Sequence, residues 1–280
     1  MAYAIDELTI NMFCEHWGFS SLPFPKTMQP GEVFLPGQIK DVLARLQQLL
    51  STREIGVVAG EAGTGKTTLL ELLLSQIAMT RYRVIHIPIP QSKTRELYRA
   101  IAAALGVNTS WFGADAMKVV DLLTFSFMES NRPNLLLIDE AHLLTPSCLN
   151  ELRLLTNAQV RHEPLVTLML FGQPALASTL KLPAMIPLAQ RIGVWVTLGR
   201  LSEDETIDYV DWHVTKAGAK NDIFSPAAKK AIFRRSQGIP RLVNRFAWEC
   251  LNQGCLDGAK VVTEELFAQV CKTLGPHLAN

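Results

Sequence analysis

The fold of this chain follows from eight consecutive residues, Gly60-Glu61-Ala62-Gly63-Thr64-Gly65-Lys66-Thr67. They match the phosphate-loop pattern G-x-x-x-x-G-K-[ST] at every position. The apolar residues 55–59 before them predict a buried strand, and residues 68–74 after them predict the start of a helix. Because strand, loop and helix follow in the order that the pattern requires, a glycine-rich turn without a ligand is a weak alternative.

The loop predicts a site for the phosphates of a nucleotide. Its glycines let the backbone curl so that successive N–H groups point inward, and the positive end of the following helix adds to their field. Lys66 is expected to reach the outer phosphates, and the hydroxyl of Thr67 is expected to complete the coordination of Mg²⁺. The predicted nucleotide-binding residues are Gly60, Glu61, Ala62, Gly63, Thr64, Gly65, Lys66, Thr67 and Thr68.

Composition leaves the binding partner open. The chain has 280 residues, 48% of them apolar, and its 27 Lys and Arg nearly balance its 26 Asp and Glu. Binding to nucleic acid would therefore require a local basic surface. The five cysteines are scattered without the spacing of a metal site, which predicts reduced thiols in a cytoplasmic protein. Without a signal-peptide pattern or a run of roughly 18 to 20 apolar residues, we expect neither export nor membrane insertion.

Short apolar strands alternate with helices on both sides of the loop. The predicted strands lie at residues 55–59, 83–88, 134–138, 165–171 and 193–198. This alternation predicts an α/β fold of the P-loop NTPase type, with a parallel sheet between layers of helices. After Gly199 only helices are predicted, at 203–216, 225–236, 239–256 and 263–273. The predicted parts are an N-terminal strap and helix at 1–50, an ATPase-type α/β core at 51–200 and a small helical lid at 201–280.

The strap precedes the helix that leads into the phosphate loop. Residues 1–36 show little periodicity, and prolines at positions 23, 25, 30 and 36 predict an extended segment. Its position makes it a candidate for contact with the adenine ring. Packing on the domain without any ligand contact is an equal alternative.

Two carboxylates follow the apolar run at residues 135–138. Such a run predicts a buried strand that delivers Asp139 and Glu140 to the carboxyl edge of the sheet, where the phosphates are expected. Asp139 is expected to hold Mg²⁺ through its waters, and Glu140 to polarise the water that attacks the γ-phosphate. A helix cap at Asp139 and an ordinary exposed Glu140 are the alternatives.

Residues 139–142 also spell Asp-Glu-Ala-His, the signature of a class of helicases. Those helicases need two tandem strand-helix domains, whereas only one is predicted here before the helical segment. We therefore interpret His142 as a polar loop residue or as a relay near Glu140.

Three further polar residues follow predicted elements. Gln173 comes after the fourth strand, where its amide is expected to orient the water or contact the γ-phosphate; capping the next helix is the alternative. Arg191 lies between a helix and the last strand. Arg241 follows Gly-Ile-Pro at the start of a lid helix.

These motifs together resemble the AAA+ ATPases. Within them the chain is similar to the ExeA-like group, which includes TnsC, TniB and IstB-type regulators of DNA transposition. The residues that carry this resemblance at the N-terminus are Trp17-Gly18-Phe19, Leu22-Pro23-Phe24 and Phe34-Leu35-Pro36-Gly37-Gln38.

The resemblance covers nearly the whole chain and implies ATP hydrolysis at subunit interfaces. It implies that Gln173 senses the γ-phosphate, that Arg191 is a finger reaching a neighbour's γ-phosphate, and that Arg241 contacts the nucleotide from its own lid. For the finger, Arg153, Arg161 and Arg200 remain alternatives. The implied partners are duplex DNA, a transposase, a target-selection protein and further copies of the chain in a ring or helical filament, without a membrane.

The loop at residues 88–95 is the predicted DNA contact. In related transposition regulators this position faces the central channel, and here it carries Lys93, Thr94 and Arg95. Such groups bind phosphates without reading bases, as suits a protein that accepts many target sequences. A solvated helix start capped by Ser92 or Thr94 is the alternative. A second candidate, ranked lower, is a basic run on the lid: Lys229, Lys230, Arg234 and Arg235.

Three functions remain open at this point. The expected one is an ATP-dependent, oligomerising DNA-binding regulator of transposition, which links target selection to the transposase with hydrolysis as a switch. An ATPase of a secretion apparatus is an alternative, although that type carries a membrane segment and a periplasmic domain not predicted here. A replication-initiator or clamp-loader ATPase is the third, although no added helix-turn-helix module is predicted.

Overall fold

The computed structural model describes residues 7–25, 28–107, 115–160 and 162–274. The chain divides into two compact units. The first, called the α/β unit below, comprises Leu35–Gly199. The second, called the helical unit, comprises Met1–Phe34 together with Arg200–Asn280.

Within the described residues, helices and strands alternate up to residue 198, and helices without further strands follow. The helices are α1 (Glu7–Trp17), α2 (Gly37–Thr52), α3 (Lys66–Gln76), α4 (Thr94–Ala104), α5 (Ala116–Ser130), α6 (Pro146–Asn157), α7 (Pro174–Leu180), α8 (Ile186–Ala189), α9 (Glu203–Lys216), α10 (Pro226–Ser236), α11 (Pro240–Leu256) and α12 (Glu264–Thr273). The strands are β1 (Ile55–Gly60), β2 (Arg83–Ile87), β3 (Asn134–Ile138), β4 (Gln159–Val160), β5 (Glu163–Pro164), β6 (Val166–Gly172) and β7 (Ile192–Leu198). Short 3₁₀ turns lie at Pro30–Glu32, Ala141–Leu143 and Pro183–Met185.

A parallel sheet forms the centre of the α/β unit. Its strand order is β2-β3-β6-β1-β7, and every neighbouring pair runs parallel. The register pairs Ile138 with Leu170 and Val58 with Phe171, so the carboxyl ends of β1, β3 and β6 meet at one edge. The predicted α/β fold with a parallel sheet is confirmed. A separate antiparallel pair, β4 with β5, was not predicted.

The central strands are buried along their whole length because their residues are almost entirely apolar. Every residue of β1, β3 and β6 is buried, which requires cover on both faces of the sheet. Gly56 permits one of these contacts, since a Cβ there would lie 3.1 Å from Leu49 Cδ2 on α2. The side-chain amide of Asn134, buried at the start of β3, donates to the carbonyls of Leu123 at 3.1 Å and Leu165 at 3.2 Å.

The helical unit packs α9 to α12 around its own apolar core. Ser202 and Glu205 form a reciprocal capping box at the start of α9. Gly238, just before α11, has φ +71° and lies against the backbone of Leu201, where a Cβ would overlap the carbonyl oxygen. The Leu201 N–H also donates to the Gly238 carbonyl at 2.8 Å. Only glycine therefore allows the start of α11 to pack against the residues that precede α9.

The N-terminal segment differs from the prediction of an extended strap. Residues Glu7–Trp17 form α1, and Trp17, Phe19 and Phe24 are buried with the core of the helical unit. The Trp17 indole donates to the Leu251 carbonyl at 3.1 Å. These three aromatic rings pack inside the unit, so the adenine contact that we considered for the strap does not involve them. The Leu251 carbonyl that Trp17 contacts lies 234 positions away along the chain, which is why sequence periodicity gave little indication of α1.

Two other features bear on the sequence-based expectations. No helix in the described ranges combines the length and apolarity that a membrane crossing needs. The five cysteines are all free.

Candidate nucleotide-binding site

The phosphate loop connects β1 to α3 at the carboxyl edge of the sheet. Gly63 and Gly65 have φ of +84° and +97°, which glycine adopts without strain. Gly60 is closely surrounded, since a Cβ there would lie 2.8 Å from Thr64 Oγ1 and 3.1 Å from the Leu198 carbonyl. Thr64 Oγ1 in turn donates to the Glu61 carbonyl at 2.9 Å. These glycines shape a backbone cradle that side chains would fill.

The N-terminus of α3 opens into this cradle. Its N-cap is Gly65, which has no side chain to cap the first turn. The N–H groups of a first turn have no partner within their helix, and anionic oxygens satisfy them well. The loop therefore suits the phosphates of a nucleotide.

Lys66 is buried in the same cradle, with 6% of its surface exposed. Its Nζ donates to the carbonyls of Gly60 at 2.9 Å and Glu61 at 2.8 Å. A buried ammonium is stable only when it is well hydrogen-bonded. These two bonds hold the charge at the mouth of the loop, where a phosphate oxygen would be an anionic partner.

Thr67 and Asp139 meet although they lie on different elements. Thr67 Oγ1 donates to Asp139 Oδ2 at 3.2 Å. The Asp139 carboxylate is 6% exposed, and its Oδ1 accepts the Glu140 N–H at 2.8 Å. The Asp139 N–H donates to the Ile87 carbonyl at 3.0 Å, so the neighbouring strand fixes its backbone. A hydroxyl and a carboxylate are oxygen ligands of the kind that Mg²⁺ prefers, so this pair fits the predicted metal.

Glu140 adopts a left-handed backbone conformation, with φ +49° and ψ +32°. For a residue other than glycine this costs about 1 to 2 kcal/mol. The side chain is 38% exposed, and its Oε2 lies 3.3 Å from His142 Nδ1. The strained turn aims a solvent-accessible carboxylate at the edge of the sheet beside Asp139.

Gln173 follows β6 and begins α7 as its N-cap residue. Its side chain makes no capping hydrogen bond with the described part of α7, so the capping alternative is not realised. Its backbone N–H donates to His142 Nδ1 at 3.4 Å. Through this contact with His142, Gln173 lies next to the turn that carries Glu140. The sequence had left the role of His142 open.

The predicted finger residue, Arg191, is exposed between α8 and β7. Within the described parts of the chain it forms no ion pair. Of the alternatives, Arg153 is half-buried, Arg200 begins the helical unit, and Arg161 lies outside the described residues. Arg241 is exposed at the start of α11 in the helical unit, so its predicted contact with the nucleotide stays a prediction.

The predicted DNA loop is anchored at one point and exposed at another. The Ser92 carbonyl accepts hydrogen bonds from Thr145 Oγ1 and Cys148 Sγ, both at 3.3 Å. The N-cap of α4 is Lys93, and neither Ser92 nor Thr94 caps it, contrary to the alternative considered above. Lys93 and Arg95 are exposed, without an ion pair to any described residue.

The basic run on the lid has a different environment. Three of its cations are paired with carboxylates: Lys229 with Asp211, Lys230 with Glu203 and Arg234 with Glu264. These pairs reduce the positive charge that the lid presents. The ranking of the loop ahead of the lid stays a prediction.

Comparison with known proteins agrees with this geometry. Residues 45–180 match the AAA domain family. The chain is 33% identical over 239 residues to the general secretion pathway protein A of Aeromonas hydrophila, a match that covers 83% of this chain and 43% of that protein. The chain thus spans less than half the length of this curated relative.

Solved structures share the fold at low sequence identity. Cdc6p from Pyrobaculum aerophilum superposes with a TM-score of 0.69 at 20% identity, covering 89% of this chain and 70% of that one. The ORC2 protein of Aeropyrum pernix, determined as ADPNP–ADP complexes, gives 0.68 at 16% identity, covering 91% and 72%. The α/β unit therefore has the P-loop AAA fold, followed by a helical C-terminal region.

Proposed function

We propose that this chain, with its AAA domain, is an ATPase that requires Mg²⁺. The observation that carries the proposal is the contact between Thr67 and Asp139 beside the buried ammonium of Lys66. A P-loop NTPase needs these three groups together, because the phosphates and the metal ion bind side by side. Other purine nucleotides share the same phosphates, so the choice of ATP rests on the AAA domain.

Each residue of the site has a distinct part in the proposed reaction. The N–H groups of the loop and Lys66 hold the phosphates and draw charge toward the leaving oxygen. Thr67 and Asp139 would hold Mg²⁺, which neutralises phosphate charge when bound. Glu140 accepts a proton from the attacking water, and the amide of Gln173 orients that water or contacts the γ-phosphate.

We also propose that hydrolysis is completed between subunits. Arg191 is exposed on the α/β unit and free to reach a neighbouring copy. An arginine supplied by a neighbour makes hydrolysis depend on assembly, and a head-to-tail interface of this kind forms a ring or a helical filament. Arg241 would contact the nucleotide from its own lid.

For the biological role, we propose an oligomeric regulator of DNA transposition that binds duplex DNA. The exposed cations Lys93 and Arg95 support DNA binding, and the resemblance to TnsC, TniB and IstB-type proteins supports the role in transposition. In this proposal the ATP cycle is a switch that links a target-selection protein to a transposase.

A second candidate role is that of an ATPase in a secretion apparatus. It is favoured by the 33% identity to general secretion pathway protein A across most of this chain. Both roles use the same nucleotide site, so activity alone cannot separate them.

Two measurements test these proposals in turn. Phosphate release from Mg²⁺–ATP by the purified chain tests the enzyme, with Glu140→Gln as the inactive comparison. Electron microscopy with a non-hydrolysable ATP analogue, with and without duplex DNA, tests the role. Rings or filaments formed only with DNA support the transposition regulator, whereas assembly indifferent to DNA favours the secretion ATPase.

A further inference from the structure

His142 lies between two residues of the proposed site. Its Nδ1 is 3.3 Å from Glu140 Oε2 and 3.4 Å from the backbone nitrogen of Gln173. The imidazole side chain is 14% exposed, so little water competes for these contacts. One ring nitrogen thus contacts both the carboxylate after β3 and the peptide group after β6.

Gly172 makes this proximity possible. A Cβ at Gly172 would lie 3.1 Å from the backbone nitrogen of His142 and 2.9 Å from Leu176 Cδ2. The end of β6 therefore approaches the 3₁₀ turn Ala141–Leu143 more closely than a larger residue allows. This approach fixes the distance between His142 and Gln173 independently of the histidine side chain.

The two contacts of Nδ1 exclude one another. A ring nitrogen that carries hydrogen donates, and one that carries a lone pair accepts. To pair with the Glu140 carboxylate, Nδ1 must carry hydrogen; to pair with the Gln173 N–H, it must not. The two neutral tautomers of imidazole supply these two states without any change in net charge.

We propose that His142 is a positioning residue that links the Glu140 carboxylate to the backbone at Gln173. When Nδ1 donates, it holds the carboxylate against the turn; when Nδ1 accepts from Gln173, the carboxylate is released toward water. Any movement of Gln173 on contact with phosphate changes this balance and so changes the orientation of Glu140. The inference rests on the proposed ATPase function of the same site.

Steady-state ATP hydrolysis by three variants of the 280-residue chain tests the link. His142→Asn keeps a polar group near the position of Nδ1, His142→Leu fills similar space without one, and His86→Leu is a matched control on an exposed histidine of β2. We expect kcat to fall about tenfold or more in His142→Leu with KM nearly unchanged, because orientation of the base affects only the chemical step. We expect His142→Asn to retain most of the wild-type kcat. His86→Leu should have the same kcat as the wild type.

A purely packing role predicts the opposite order. Leucine would then replace the ring at least as well as asparagine, and KM would change together with kcat. Wild-type kcat in His142→Leu, or equal impairment of both His142 variants, would overturn the proposal.

A spectroscopic comparison decides the matter without turnover. In the chain labelled with ¹⁵N-histidine, the His142 signals are those that disappear in His142→Asn. Replacing Glu140 by alanine removes the acceptor, so we expect the Nδ1 signal of His142 to move toward that of an unprotonated nitrogen. An unchanged signal would refute the link even if the His142→Leu variant fails to fold. If the wild-type chain hydrolyses no ATP, the proposed function fails, and this comparison still tests the contact itself.

Discussion

Lys66 and His213 are both buried basic side chains, one in each unit, with opposite surroundings. Lys66 is 6% exposed and donates to two backbone carbonyls of the phosphate loop. His213 is 2% exposed, and its Nε2 has no hydrogen-bond partner among the described residues. Lys66 thus has hydrogen bonds to the phosphate loop, whereas the His213 ring is buried without one at Nε2 among the described residues.

Aromatic side chains surround His213. The ring centroids of Phe24, Tyr209 and Trp212 lie 4.6, 4.5 and 4.9 Å from that of the imidazole. Burial in this apolar setting, assisted by the charge of Lys216, lowers the pKa of His213 to about 3. Burial alone therefore does not mark a functional residue. What distinguishes Lys66 is its pair of hydrogen bonds to the carbonyls of the phosphate loop.

The largest effect is expected at Lys66. Lys66→Ala should abolish detectable nucleotide binding and all turnover, because the buried cation beside the phosphates is lost. Glu140→Gln should keep binding and stop turnover, because only activation of the water is lost. Fluorescent-nucleotide titration and phosphate release measure both quantities.

His213→Phe is the matched comparison for that experiment. It also changes a buried basic residue, and it should leave nucleotide affinity at the wild-type value. If His213→Phe weakened binding as much as Lys66→Ala, the contrast between the two residues would be wrong.

Arg191 is an exposed cation, in contrast to the buried Lys66 and His213. We expect Arg191→Ala to bind ATP but to lose turnover by about 1,000-fold, as is typical when an arginine finger is removed. Mixing it with Lys66→Ala subunits should restore turnover, because each supplies the group that the other lacks. Without restoration in the mixture, the finger is another arginine.

His213 should make stability depend on pH. Its folded-state pKa is about 3, below the ordinary value of 6.5, so the unfolded chain binds the proton more tightly. Its contribution to stability is complete above pH 6.5 and falls by about 1.4 kcal/mol per pH unit as pH decreases toward 3. Between pH 7.5 and 4.5 we expect the wild type to lose about 2 to 3 kcal/mol more than His213→Phe in urea unfolding. Parallel curves for the two proteins would contradict the assignment.

The smallest effect concerns DNA. Changing Lys93 and Arg95 together to alanine should weaken binding to all duplexes alike and reduce the salt slope by about 2, since two phosphate contacts are removed. Lys230→Ala with Arg234→Ala is the matched control on the lid, where both cations are already ion-paired. Turnover without DNA should be unchanged in both. Loss of DNA affinity only in the lid variant would place the DNA path there.

Prediction from sequence succeeded where the signal is local. The phosphate loop, the strands around it and the C-terminal helices lie within a few residues of their predicted positions, because apolar periodicity, glycines and caps act over one or two turns of chain. The prediction failed at α1, because Phe13 and Trp17 are buried only when α11 packs beside them. The same limit applies to the tautomeric choice at His142, which depends on Gln173, 31 residues away.

The sequence by itself determined which residues are proposed to bind phosphate, hold a metal ion and activate water. The tertiary structure decided which of them meet. Thr67 and Asp139 lie 72 positions apart and come within 3.2 Å because β1 and β3, on either side of β6, end at the same edge of the parallel sheet. It also joined the N-terminal residues to the C-terminal helices as one unit. The physical reason is that strand order and helix docking minimise the apolar surface exposed by the whole chain. A local sequence pattern does not specify that total.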